Sequence, residues 1–332
     1  MSEPAGVAAI TVSYSGRMDH LRRQGEVLAR EPGLREWIVV TNGNCALVRA
    51  TLPALPLAPR LVEHVRNEGS ATGFGAGIVA ALDDPANRYV LLLDEDNLPA
   101  AGTVVQLLAT LAEARQSGEA PGGLAVACYR ERVHWAQAHG IEPRRADSCI
   151  GFHVADLPAK LLRRLWPAPP PAGRIPLRTA AYGGLLLERS LLQSAGLPLP
   201  QLVLYGDDTE FTLRLTTGGA TIILDTGLAM TDMGNPAARR TTLFSFPGWL
   251  SIADDFRLYY GARNESWLDR HRFARHLLVY RFNRAIVRAV LRCYARTTEE
   301  RRRLGIFTEA AADGEAGQLG RNPRYPLPEA QT

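Results

Sequence analysis

Residues 89–99, YVLLLDEDNLP, set an apolar run against three consecutive acids, Asp94, Glu95 and Asp96. Carboxylates this close repel one another, so something positive must offset them. Asp94 and Asp96 can present oxygens to a hard divalent cation, with phosphate oxygens completing its shell. The same residues also make good turn chemistry after a strand, and a lone pair of acids does not decide between the two. A second acid group stands in YGDDTEFTLR, residues 205–214, which holds Asp207, Asp208 and Glu210. Crowded like charges raise the pKa of one member, which suits a general base acting on a hydroxyl. An N-cap role for Asp207 and a helix salt bridge from Glu210 to Arg214 are the ordinary alternatives. A third stretch, NEGSATGFGAG at 67–77, carries Gly69, Gly73, Gly75 and Gly77. These let a backbone approach a ligand closely, or simply feed a helix. Their spacing is neither that of a P-loop nor that of GxGxxG.

The elements that must position these residues alternate. GVAAITVSY, REWIVVTNG, PRLVEHVRN and RYVLLLDED read as strands, and the stretches between and after them as helices. Such alternation implies an α/β fold with a mostly parallel central sheet and helices on both faces. Uninterrupted apolar strands suit a sheet buried on both sides. The first acid cluster then falls at the carboxyl end of a strand, where open α/β sheets bind ligands. Later, GGLAVACYRE and ATIILDTGLAM read as strands, AYGGLLLERSLLQSAGLP as strand, turn and helix, and DDTEFTLRLTTGG as a helix. The middle, 134–181, is irregular, with PAPPPAG at 167–173, and reads as a surface loop or a lid. His134 and His153 lie in it and read as structural.

The C-terminal part differs. Arg281, Arg284, Arg288, Arg292 and Arg296 recur at helical steps, with Leu278, Phe282, Ile286, Val290 and Tyr294 away from them. Such a helix can lie on an anionic membrane surface, pack its apolar face on the domain, or form a homodimer. Residues after 304 are polar and rich in Gly and Pro, which predicts a flexible tail. The expected divisions are 1–254, split into a nucleotide-binding part at 8–125 and an acceptor and catalytic part at 126–254; a basic helical extension at 255–304; and a tail at 305–332.

Bulk properties narrow the class. A chain of 332 residues can bury a sizeable core. Its net charge of +4 gives no footprint for nucleic acid. The basic residues are arginines except Lys160, as high-GC coding gives. Cys45, Cys128, Cys149 and Cys293 form no CxxC, which argues against a zinc site or disulfide framework. Neither a signal peptide nor a run long enough to span a bilayer is expected, so the expected place is cytoplasmic, or peripheral on the inner face of the plasma membrane.

Taken in order, ITVSYSGR, IVVTNGN, NEGSATGFGAG, YVLLLDEDNLP, AAYGGLLLERSLLQSAGLP, LYGDDTEFTLRLTTGG and YYGARNESWL resemble the family 2 glycosyltransferases. The similarity is to their bacterial rhamnosyltransferase and galactofuranosyltransferase-like branch, and it runs from about residue 8 to 268. It implies a GT-A fold, Rossmann-like, with a C-terminal helical extension, and a metal-dependent, inverting transfer from a UDP- or dTDP-sugar. The acceptor would be a glycan, lipid-linked or small-molecule hydroxyl, in envelope polysaccharide, glycoconjugate or natural-product synthesis. By the same resemblance, Ser13, Tyr14, Asn42, Asn67, Gly69, Asp94 and Glu95 belong to the donor side. Asp94 and Asp96 hold Mg2+ or Mn2+, and Gly183, Gly184 and Glu210 lie beside the acceptor. Asp207 and Asp208 supply the base, with Asp208 favoured. Two departures stand out. Asn42 replaces the usual aspartate, and GLAMTDMGN lacks the usual metal-binding histidine, leaving Asp232 as an oxygen ligand or the metal with an extra water. A sugar-nucleotide nucleotidyltransferase and a catalytically degenerate binding homologue are the alternative readings.

Overall fold

The structure is a computed structural model and describes residues 6–14, 16–118, 122–139, 144–159, 173–234 and 246–329. Most of the irregular middle's proline-rich stretch therefore lies outside the described residues. Among the described residues nine strands form one sheet: β1 (Val7–Ser13), β2 (Leu34–Asn42), β3 (Arg60–His64), β4 (Tyr89–Asp94), β5 (Asn97–Pro99), β6 (Leu124–Tyr129), β7 (Arg174–Leu177), β8 (Leu185–Glu188) and β9 (Thr221–Asp232). Their order is β3-β2-β1-β4-β8-β6-β9-β5, with β7 also pairing β9. The β1–β2, β2–β3, β1–β4 and β6–β9 pairs are parallel. β8 runs antiparallel between β4 and β6, so those two point the same way. β5 and β7 oppose β9. The α/β class and the mostly parallel sheet are as the sequence predicts.

Alternation along the strands puts Ile10, Val12, Ile38, Val40 and Leu92 in one apolar layer and Val7, Ala9, Trp37, Val39 and Leu93 in the other. The helix Ser70–Asp83 covers the first layer with Phe74 and Ile78. The helices Met18–Leu28 and Thr103–Gln116 cover the second with Leu21, Leu28, Val104 and Leu107. Of the two readings of the glycine-rich stretch, the helix is the one observed. Gly73 and Gly77 lie inside the helix against β1, where an added methyl would crowd Val12 and Ile10. They bring helix and strand together rather than backbone and ligand. Gly69 alone of the four has a left-handed φ, at 85°, in the turn that enters this helix.

A third core joins the helices Asp255–Leu268, Leu277–Tyr294 and Thr298–Glu315 through Leu258, Tyr259, Tyr280, Val287, Leu291 and Phe307, and takes in Cys149 and Phe152. Two expectations fail here. The basic helix does not pack through its expected apolar stripe. It buries Tyr280, Asn283, Val287 and Leu291 and leaves Leu278 79% and Phe282 56% exposed. Arg284 and Arg288 both reach Glu315, so this acid turns their side of the helix toward its neighbour. Nor are the described residues 305–329, within the expected 305–332, a loose tail. The helix Thr298–Glu315 opens with a capping box between Thr297 and Glu300. The strap that follows returns to the sheet. Tyr325 stacks on Tyr259 at 4.3 Å. Gly320 N–H donates to Gln201 O at 2.7 Å. Arg321 donates to Asn67 O and Glu68, and Asn67 Nδ2 donates to Pro328 O at 3.1 Å. Among the described residues, no helix is long and apolar enough to cross a membrane.

Candidate active site

The acids after β4 occupy a tight turn whose return, β5, lies antiparallel to the end of β9. Asn97 pairs with Asp232 across that ladder. Register, not sequence proximity, therefore brings Asp232 to Asp94 and Asp96. Asn97 Nδ2 donates to Asp96 Oδ1 and to Asp232 Oδ1, each at 3.2 Å. The positive charge that the cluster requires comes from Arg130, just past β6 and 9% exposed. Its Nη2 lies 2.9 Å from Asp232 Oδ1 and its Nη1 3.4 Å from Asp94 Oδ2. His134 is fully buried, and burial with the Arg130 charge pushes its pKa down to about 3. Neutral at physiological pH, it accepts the Arg130 backbone N–H through Nδ1 at 3.1 Å. Gly183 forms the wall behind the cluster, because any side chain there would overlap Asn97 Oδ1 and Arg130 Nη1. Gly184, with φ 88°, packs on Cys128 and Met230.

The second acid pair opens the helix Asp207–Thr217. Asp207 is 2% exposed and accepts the Ser70 hydroxyl at 3.0 and 3.1 Å on its two oxygens. Asp208 is half-buried and accepts Thr209 N–H at 2.6 Å. Burial, then the Asp208 charge, raises the pKa of Asp207. Burial raises that of Asp208, with Glu265 adding to the rise and Arg130 opposing it. Asp94 is pushed up to about 6 by burial, against Arg130, with Asp96, Asp208 and Asp232 adding to it. The two acid groups, far apart in sequence, thus share one electrostatic neighbourhood.

A strained loop leads into this pair. Val203 and Tyr205 hold left-handed φ values of 65° and 68°, and Gly206 follows at 73°. Asn264, fully buried, holds that loop: its Nδ2 lies 2.6, 2.9 and 2.8 Å from the carbonyls of Leu202, Leu204 and Tyr205. Arg263 adds bonds to the Gln201 and Leu202 carbonyls. Glu265, one residue on, pairs with Arg144, which also holds the buried Asp269 at 2.8 Å. The C-terminal helices therefore both brace the second acid pair and bring it a further acid.

The expected donor residues gather at the ends of β1 and β2. Ser13 Oγ and Tyr14 N–H donate to Glu95 Oε2 at 3.3 and 3.2 Å, and Asn44 Nδ2 donates to Ser13 Oγ at 2.8 Å. Tyr205 OH accepts from Arg257 at 2.8 Å. Asn42, 1% exposed, donates to Gly69 O at 3.1 Å and accepts Glu68 N–H at 2.7 Å. Both ends of its amide hold the glycine loop, which differs from the expected direct contact with a donor. Asn67 accepts Gly69 N–H at 3.1 Å and is covered by the strap. Glu210 also departs from its expected acceptor-side place. It is fully buried, held at 2.9 Å by both Arg214 and Arg272, and realises the helix salt bridge.

Among the described residues no three His, Cys, Asp or Glu side chains converge as metal ligands. Asp94 and Asp96 are nevertheless of the right kind, since Mg2+ is held by one or two carboxylates with substrate phosphates and water, and Mn2+ takes similar oxygen ligands. The fit requires the diphosphate to complete the shell. Arg130, missed in the sequence because nothing local marks it, occupies the space between Asp94 and Asp232.

No family model matches the chain. It is 24% identical over 219 residues to galactofuranosyltransferase GlfT1 of Mycolicibacterium smegmatis, covering 66% of this chain and 68% of that protein. It is 27% identical over 216 residues to GlfT1 of Mycobacterium tuberculosis, covering 64% and 65%. The chain thus matches about two thirds of the length of these curated relatives. A solved structure, GalNAc-T7 with UDP, GalNAc and Mn2+, overlays at a TM-score of 0.43 with 12% identity, covering 69% of this chain and 44% of that one. In the order of its motifs and in these relatives the chain is similar to the family 2 glycosyltransferases, two galactofuranosyltransferases among them.

Proposed function

We propose that this chain transfers a sugar from a UDP- or dTDP-sugar to an acceptor hydroxyl, with inversion at the anomeric carbon. The observation that carries the proposal is that the Asp208 charge acts on Asp94, and the Arg130 charge on Asp208, at the carboxyl end of β4. That is where the base and the leaving diphosphate must meet. Asp208 fits the base better than Asp207, which is sealed and bonded to Ser70. Asp208 takes the hydroxyl proton as the acceptor oxygen bonds to the anomeric carbon. The bond from that carbon to the diphosphate breaks on the opposite face, and the electron pair leaves with the nucleoside diphosphate. Asp94 and Asp96 would hold Mg2+ or Mn2+, which supplies charge neutralisation for the leaving group; such electrostatic stabilisation is commonly the largest catalytic contribution. A raised pKa makes Asp208 a stronger base than a free carboxylate, while Arg130 keeps it ionisable.

The acceptor is proposed as a glycan, lipid-linked or small-molecule hydroxyl. The test is Asp208→Asn, read by release of nucleoside diphosphate from a panel of UDP- and dTDP-sugars, with and without EDTA. Loss of a general base lowers turnover about 10²–10⁴-fold while fold and UDP binding persist. Turnover near that of the unmodified protein refutes the assignment.

A further inference from the structure

Arg130 stands where a shared cation would stand, and it is built in. Its guanidinium bridges Asp94, at the end of β4, to Asp232, at the end of β9. Side-chain exposure is 10%, Gly183 closes one side, and His134 fixes its backbone. A guanidinium does not deprotonate in proteins, so this charge is permanent. The acid cluster formally carries −3 from Asp94, Asp96 and Asp232, and Arg130 brings it to −2. Asp232 is where the resemblance leads one to expect a histidine. A neutral histidine would not tether a guanidinium, whereas a carboxylate does so strongly.

We propose that Arg130 is a placeholder for the divalent cation. It holds Asp94 and Asp232 together before the donor binds, and a cation enters well only with a nucleoside diphosphate. This rests on the reading of the site as a nucleotide-sugar site. The incoming diphosphate offers Arg130 charge-assisted hydrogen bonds in place of the carboxylate ones. Asp94 is then released to the cation, with phosphate oxygens supplying the ligands that the protein lacks. One residue thus couples donor to metal and keeps the donor-free site from collecting cations.

The experiment is a Mn2+ titration of the full chain, following the paramagnetic resonance signal of the free ion, without nucleotide. Unmodified protein binds Mn2+ more weakly than about 10⁻⁴ M, at the weak end of oxygen-ligated sites. Arg130→Gln, screened for native circular dichroism and melting, binds it at least tenfold tighter, a change of about 1.4 kcal/mol. Arg130→Lys keeps the charge but cannot span both acids, and falls between. Tight Mn2+ binding by the unmodified protein overturns the proposal whether or not a variant folds. So does a folded Arg130→Gln that binds no more tightly. Binding of UDP and of dTDP, measured by calorimetry with Mg2+ present, tests the nucleotide site separately. Its absence counts against the proposed function, and the Mn2+ titration still reads Arg130 by itself.

Discussion

Asn264→Ala removes the group that holds the loop before the acid pair. Nδ2 is within 2.9 Å of three carbonyls, and Arg263 also reaches that of Leu202, so the carbonyls of Leu204 and Tyr205 lose the side-chain donor they have here. Leaving a buried acceptor unsatisfied costs about 1–3 kcal/mol, so two give about 2–6 kcal/mol, at the lower end where water enters the space. That is a large part of a folding free energy of about 5–15 kcal/mol. The same bonds hold Val203 and Tyr205 in left-handed backbone, worth about 1–3 kcal/mol of strain at each residue. Released, the loop relaxes and Gly206 no longer sets the start of the helix bearing Asp207 and Asp208. A displacement of about 1 Å can cost about 10²-fold in rate. The assay is urea unfolding together with donor hydrolysis, measured well below the melting temperature. The expected result is a destabilised protein whose kcat falls at least about tenfold while UDP affinity holds. A variant within about 0.5 kcal/mol of the unmodified protein, or one with unchanged kcat, refutes the reasoning.

Glu265→Gln removes a carboxylate that raises the pKa of Asp208. The base then stays ionised to lower pH, and the acid limb of kcat/KM moves downward; a limb that stays or moves up counts against Asp208 as the base. Asp207 has its folded pKa raised above the unfolded value of about 3.9. Its stabilising contribution is full below that value and is lost as pH rises through the raised one. Asp207→Asn, which never ionises, therefore melts above the unmodified protein, by a margin that widens from pH 5 to pH 8; a margin independent of pH would contradict the burial argument.

The sheet was legible because each central strand is a short apolar run that needs cover on both faces, as in AAITV and VLLL. The acid turn was legible because three carboxylates cannot end a buried strand without a reason. Arg130 was not: it follows Cys128 and Tyr129 without a pattern, and only the β5–β9 register brings Asp232 to it. Gly73 and Gly77 left two readings open because loop and helix both use glycine, and only the packing on Ile10 and Val12 tells them apart. The tail did carry its own signal. Thr297 and Glu300 have capping-box spacing ahead of a helical stretch, which the later glycines and prolines obscured. On the basic helix, counting arginines picked out a stripe, while Asn283, polar yet fully buried, marks the face that packs.

The strap from Gly320 to Pro328 ties the end of the described chain to Asn67, in the turn that follows β3. During synthesis that turn leaves the ribosome long before its cover does. A nascent chain can assemble the first strands and still lack the covered turn until some 260 further residues have emerged, 261 separating Asn67 from Pro328. Completion of that turn is thereby postponed until Pro328 has been made.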